Sequence, residues 1–434
     1  MKSKYKPYSS YRDSGVRWLG DIPESWKVIK TAYLFSSAMG QTILKEDLID
    51  DGRYPVYSAT AEDKFFGYVN YATVKLKKND IVIPARGNSI GFVKLVKDNA
   101  TTTQTTIYCK PLTQRTNPKY VYYYMLGLKP HLFYFVQTAI PQITVSEVLS
   151  NPLLLPPFQD QQTIANYLDS ATAKIDTLIE KQTRLIALLK EKRQAVISTA
   201  VTRGLDNTVA MKDSEVEWLG EIPAHWEVKK LKFIAYAKPS NVDKKSKDGE
   251  KDVLLCNYTD VYYNDFITND IEFMKATATN EQIKKFTLNV DDVIITKDSE
   301  GPEDIAIATC VKEVQDNLVC GYHLTHIKPT KCNGRYLFRA FNSDGIHDQF
   351  KVAANGITRY GIGVYGIDNS FFPAPPMKEQ EEIANYIDDK TSKIDTLISK
   401  ASKAIELLKE RRTALISAVV TGKIDVREIN MESA

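Results

Sequence analysis

The sequence predicts an α/β (α+β) protein built as a pseudo-two-fold tandem repeat, in which two globular, strand-rich domains are separated by two long helices that pair with each other as a coiled coil. Three observations carry this. A stretch opening on Pro156-Pro157 recurs at Pro375-Pro376, and Lys174-Ile175-Asp176-Thr177-Leu178-Ile179 matches Lys393-Ile394-Asp395-Thr396-Leu397-Ile398, in a register that ends with Thr202 against Thr421. A second element, Asp13-Ser14-Gly15-Val16-Arg17-Trp18-Leu19-Gly20-Asp21-Ile22-Pro23-Glu24-Ser25-Trp26-Lys27-Val28, recurs at 213–228. Between the matching parts lie two bodies, 29–155 and 229–374, that share almost no sequence but alternate β-branched and aromatic runs with Gly, Asn and Asp in the same way.

The first domain, 1–157, begins Met1-Lys2-Ser3-Lys4-Tyr5-Lys6, which lacks the apolar core of a signal peptide, so a cytoplasmic location is expected. Its repeated element holds Trp18 and Trp26, and the second copy holds Trp218 and Trp226, which are all the tryptophans of the chain. Two indoles around a Gly-x-Ile-Pro turn read as a docking clip with buried rings. The body then supplies strand runs such as Asp80-Ile81-Val82-Ile83 and Gly91-Phe92-Val93-Lys94-Leu95-Val96, a short helix over 120–128 and a polar late loop over 137–145.

A long helix is expected over 158–204, because Ile164, Leu168, Ile175, Leu178, Leu185 and Leu189 fall at steps that draw one seam. Its duplicate over 377–422 carries Ile383, Ile387, Ile394, Leu397, Leu408 and Leu415. The double prolines stop the preceding strand, and Gly204 and Gly422 stand where a helix is closed by a residue at positive φ. About forty residues at roughly 1.5 Å each make a rod on the order of 60 Å. A seam this narrow needs a partner, and its duplicate is the nearest one. Between the rods, 205–376 forms the second domain, with a polar connector at 205–212, the run Asp292-Val293-Ile294-Ile295-Thr296, a helix near 334–342 and a late loop over 355–367. Residues 423–434 are a tail.

A chain of 434 residues exceeds one core, and 43% hydrophobic with 26% charged residues is ordinary globular composition. No apolar run reaches membrane-spanning length, so no membrane partner is expected. Five irregularly placed cysteines fit reduced thiols rather than a disulfide framework. A net charge of +3 argues neither for nor against nucleic acid.

Several motif matches carry little. Gly361-Ile362-Gly363-Val364-Tyr365-Gly366 satisfies G-x-G-x-x-G but lacks a following helical pattern. Cys320, His323, His326 and Cys332 could be drawn as a zinc set, yet a strand sends alternate residues to opposite faces, so no metal is expected. Asn151-Pro152-Leu153 lacks the second proline of an amino-methyltransferase loop. No catalytic residue is expected.

What could read DNA are polar residues in loops at matching places of the two bodies. In the first these are Lys64, Arg86, Asn88, Ser89, Thr103, Gln104 and Gln142. In the second they are Lys297, Asp298, Ser299, Tyr322, His323, Arg359 and Tyr360. Arg suits guanine edges or phosphate, and Asn and Gln suit adenine edges.

The doubled Asp-Ser-x-x-x-Trp-Leu-Gly-x-Ile-Pro-x-x-Trp-x-Val element, the Gln-x-x-Ile-Ala starts at Gln161 and Gln380, the Lys-Ile-Asp-x-Leu-Ile helices and Ile294-Ile295-Thr296-Lys297-Asp298-Ser299-Glu300 resemble the specificity subunits of type I restriction-modification systems, over the whole chain. The resemblance implies two target-recognition domains held apart by the two long helices as an antiparallel coiled coil, each domain reading half of a split site in the major groove of double-stranded DNA, with the helices as a ruler for the unread spacer. It implies two modification (methyltransferase) subunits and restriction (translocase and nuclease) subunits as partners. It implies no cofactor in this chain, with S-adenosylmethionine, ATP and Mg on the partners. The rival reading is a coiled-coil adaptor whose domains bind proteins; a stand-alone methyltransferase is more distant.

Overall fold

Each double proline is followed by one uninterrupted helix, and the chain leaves each helix through a glycine in the left-handed region. The first rod is Phe158–Arg203, closed by Gly204 at φ +75°, and the second is Met377–Val420, followed by Gly422 at φ +73°. The computed structural model describes residues 6–61, 64–134 and 141–429. The chain divides into two compact units, Met1–Thr183 with Ser402–Ala434, and Arg184–Ala401, so each unit takes one half of each rod.

Within each unit the two halves pair antiparallel as a coiled coil. Arg412 Nε donates to Asp176 Oδ1 at 2.8 Å in the first unit, and Arg193 Nε donates to Asp395 Oδ1 at 3.0 Å in the second, the same pair displaced by the repeat. Ile164, Leu168 and Ile175 share the first core with Leu415, Ile416, Val419 and Val420, and Leu408 packs against it. Ile383 and Ile387 share the second with Ile197, Ala200 and Val201. Leu189 and Ile394 are also buried. Leu178, Leu185 and Leu397 depart from the expected seam, being 47%, 43% and 49% exposed. Near its ends a rod is covered by a body as well as by its partner, whereas further along it has one neighbour, which covers only a narrow strip.

The two bodies share a topology that their sequences conceal. In the first, a four-stranded sheet runs in the order Phe35–Met39, Thr106–Pro111, Ile81–Pro84, Lys94–Leu95. In the second, five strands run Ala235–Pro239, Leu324–Pro329, Val293–Thr296, Ala308–Val311, Phe266–Ile267. A side sheet accompanies each: Gly67–Val69, Tyr54–Tyr57, Thr101–Thr102 in one, and Met274–Ala278, Lys251–Cys256, Leu318–Cys320 in the other, with the last two strands parallel in both. The stretch 320–326, expected as one strand, is therefore two strands in different sheets, as is its counterpart 102–108. A turn divides them, at 103–105 and 321–323.

The expected short helices are Pro118–Gly127 and Gly334–Phe341. Asp344–Ala353 and Val364–Asp368 are helices that periodicity did not reveal, the second starting inside the G-x-G-x-x-G string where no helical pattern was expected. Of the late loop at 137–145, residues 137–140 lie outside the described residues.

The repeated residues outside the seam tie the bodies to the rods. Gln161 is buried; its Oε1 accepts from Asn117 N at 2.8 Å and its Nε2 donates to Pro156 O at 2.9 Å. Gln380 does the same with Asn333 N and Pro375 O, both at 2.8 Å. Asn117 and Asn333 in turn cap the short helices, so one amide joins the Pro-Pro turn to a helix N-terminus. Tyr120 and Tyr336 then donate to Leu154 O and Pro373 O on the strand before each rod.

In each clip only the second indole is wholly buried, Trp26 against the end of the second rod at Gly422 and Trp226 against Gly204. Trp18 is half-buried and stacks on His131, while Trp218 is 38% exposed. Trp226 Nε1 donates to Glu379 Oε1 at 3.0 Å, but Trp26 Nε1 is buried without a hydrogen bond among the described residues. The residue equivalent to Glu379 is Asp160, one methylene shorter. Asp160→Glu should therefore supply the missing acceptor and raise the unfolding free energy of the first unit by about 1 kcal/mol, measured by urea unfolding followed by indole fluorescence. Glu379→Ala should lower the unfolding free energy of the second unit by about 1–3 kcal/mol. No change in either variant would show that these carboxylates are irrelevant to the clips.

Candidate nucleic-acid interface

The site in each unit grows from the fully buried central strand, Ile81–Pro84 or Val293–Thr296, whose following residues leave the sheet and meet the late loop. In the first unit Arg86 is bridged antiparallel to Gln142, with Gly87 N donating to Pro141 O and Ile143 N to Ala85 O, both at 3.0 Å. In the second, Asp298 pairs with Gly361 and Ser299 with Tyr360, and Ile362 N donates to Lys297 O at 3.0 Å. Two unrelated sequences thus join the same two loops by the same kind of backbone contact.

In the first unit Lys64, Arg86, Asn88 and Gln142 are exposed. Ser89 is buried and donates to Ala59 O at 2.8 Å, Thr103 is buried with its hydroxyl 2.8 Å from that of Thr105, and Gln104 Oε1 accepts from Ile43 N at 3.3 Å. Lys64 precedes the exposed Phe65 and Phe66, and the Phe65 ring lies edge-on to Tyr57.

The second unit brings its candidates into one cluster. Asp298 Oδ1 accepts from Arg359 through Nε at 2.9 Å and through Nη2, and lies 2.7 Å from His323 Nδ1. Lys297 N donates to His323 O, and Lys297 Nζ donates to Ser240 O while lying 4.3 Å from the Tyr322 ring centroid. Burial lowers the Lys297 ammonium from its ordinary value, against the pull of Asp298. Ser299 is buried and accepts from Tyr258 OH at 3.1 Å. Tyr322, His323 and Arg359 stay about half-exposed.

Sequence reasoning missed Tyr258 and Tyr262, stacked with centroids 5.5 Å apart, and the Asp304 that accepts from Tyr262 OH at 2.8 Å. The available signal was Asn257 three residues before Asp260, a capping box that starts the tyrosine-bearing helix Tyr258–Tyr262. His323 and His326 face different acidic partners, Asp298 and Asp292, and His326 with Asp292 is buried. They do not converge.

The family model for type I restriction modification DNA specificity domains matches residues 23–188 and again 223–407. The chain belongs to this family. It is 22% identical over 424 residues to the type I restriction enzyme MjaVIII specificity subunit of Methanocaldococcus jannaschii, covering 94% of this chain and 95% of that one. It is 22% identical over 275 residues to the EcoKI specificity subunit of Escherichia coli K12, covering 62% and 57%. A solved chain from work on assembly and conformational transition of the type I R-M system has the same fold, with a TM-score of 0.68 at 11% identity over 92% of this chain and 98% of that one. The protein is thus a type I specificity subunit, and among its described residues no helix is long and apolar enough to cross a membrane.

The subunit's second body is anchored to its rods by charge. Arg339, 1% exposed, donates through Nε and Nη2 to Asp388 Oδ1, and through Nη1 to Asp265 Oδ2 at 2.8 Å. Arg335 pairs with Asp388, and Arg193 joins Asp265 to Asp395. In the first unit Lys119 and Tyr123 meet Asp169, the counterpart of Asp388. Burial works to raise the Asp265 carboxyl, but Arg339 and Arg193 outweigh it and hold the group below its usual range. The unfolded chain therefore binds this proton more readily, so the stabilisation is present above the ordinary carboxylate range and lost as pH falls through the folded value. Urea unfolding from about pH 7 to about pH 3 should show the second unit weakening with acid, and Asp265→Asn should be less stable at neutrality with a flatter dependence. Parallel pH curves for the two proteins would remove Asp265 from this role.

Proposed function

We propose that this specificity subunit reads a bipartite duplex site, each unit taking one half in the major groove, while the rods set the unread spacer and dock modification subunits. The observation that carries the reading is the joining of the post-strand loop to the late loop in both units, at Arg86 with Gln142 and at Ser299 with Tyr360. Exposed Arg86, Asn88, Gln142 and Lys64 then offer donors to bases or phosphates, as do Tyr322, His323 and Arg359 in the second unit. Tyr360 and Lys297 flank that cluster. Ser89, Thr103, Gln104 and Ser299, with their polar groups already engaged, shape the loops; Asp298 orders its neighbours.

The near-neutral charge of +3 is compatible with partners that supply much of the phosphate grip. Exposed Leu178 and Leu397, and exposed Leu188 and Leu407, are pairs related by the repeat. They present equivalent apolar faces suited to two copies of one modification subunit. S-adenosylmethionine, ATP and Mg belong to the modification and restriction subunits in this reading, and methylation of adenine and DNA cleavage are theirs.

The decisive experiment maps methylated adenines in DNA exposed to the assembled complex, with wild-type and altered subunits. Removing one matched heptad from each rod takes away about 10 Å of helix, or about 3 base pairs. The spacer should change while both half-sites stay. Exchanging body 29–155 for another should alter one half-site only. A changed half-site with unchanged spacing in the shortened protein would refute the ruler.

A further inference from the structure

One oxygen of Asp298 gathers Arg359 Nε, Arg359 Nη2 and His323 Nδ1, the last at 2.7 Å. A carboxylate can only accept, so Nδ1 carries the hydrogen, and in the neutral ring the lone pair is left on Nε2. Nε2 makes no hydrogen bond among the described residues, and the side chain is 43% exposed. The charged and titratable groups around the ring are Asp298, Arg359, whose Nη2 lies 3.2 Å from Nδ1, and Tyr322, whose ring stands edge-on at 4.9 Å. Lys297 lies over the Tyr322 ring, and Tyr258 and Asp304 reach the cluster through Ser299.

Resting on the DNA reading above, we propose that His323 is a proton-dependent base reader of the second unit, with Asp298 and Arg359 as its positioning residues. The neutral ring offers Nε2 as an acceptor, which suits the exocyclic amine of cytosine or adenine and refuses the acceptor edges of guanine and thymine. The protonated ring offers Nε2 as a donor, which suits guanine N7 and O6 or thymine O4 and loses cytosine, whose major-groove edge only donates. Orientation stays constant between the two states because Nδ1–H bonds Asp298 in both.

The test selects sequences from a randomised duplex library with the full chain assembled with its modification subunits, at about pH 8 and about pH 6. One position of the half-site read by the second unit should shift from cytosine or adenine toward guanine or thymine in acid. The change relative to cytosine should be roughly tenfold. His323→Gln, whose amide both donates and accepts, should select the same remaining positions with no pH shift. A wild-type half-site that is invariant with pH, or a shift that persists in H323Q, overturns the proposal and leaves the DNA reading intact. Recovery of no sequence preference at all overturns the DNA reading, and this assignment with it.

Discussion

Everything in this chain depends on the burial of one apolar stripe on each rod half by two neighbours at once. The first core holds Ile164 and Leu168 from the start of one rod together with Val419 and Val420 from the end of the other, beneath the aromatic helix of the first body. The second repeats the arrangement with Ile383 and Ile387 against Ile197 and Val201. At about 1.5–3 kcal/mol for each such side chain fully buried, these shared contacts hold each body to its rod ends. The first unit is consequently discontinuous in sequence, drawn from Met1–Thr183 and Ser402–Ala434, whereas the second runs unbroken over Arg184–Ala401.

That constraint accounts for where the repeat is strict and where it is loose. Gln161 and Gln380 each satisfy a turn carbonyl and a cap amide at the meeting of rod, strand and short helix, so no other side chain makes both bonds there with the same reach. Gly204 and Gly422 must turn at positive φ beside a buried indole. The anchoring pair beneath the short helix is freer: Lys119 with Tyr123 in one unit, Arg335 with Arg339 in the other, both answering an aspartate on the rod. Arg339 is thereby spent inside the fold. Among the candidate readers, Arg86 and Arg359 remain exposed.

The clips show how small differences between copies become physical ones. Trp26 and Trp226 occupy equivalent buried places, yet one acceptor is a glutamate that reaches the indole and its counterpart is an aspartate. A duplicated sequence carries the packing over faithfully, because apolar contacts tolerate a methylene better than a hydrogen bond does.

The tandem repeat, the long helices, their pairing with each other, their glycine ends and the short helices after the strands were all legible in the chain itself. Local signals decide those features: apolar period, proline stops and residues free to take positive φ. The common topology of the two bodies was not legible, since side sheets and turns such as 103–105 and 321–323 arise from pairings between segments tens of residues apart. Nor could periodicity show that Leu178, Leu185 and Leu397 stay half-exposed, because exposure depends on how many neighbours a helix has at that height. Tertiary structure alone decided which polar residues face outward and which are held inward, leaving Arg86 and His323 available and Ser89 and Thr103 engaged. Hydrogen bonds to distant backbone, which no sequence pattern records, make that division.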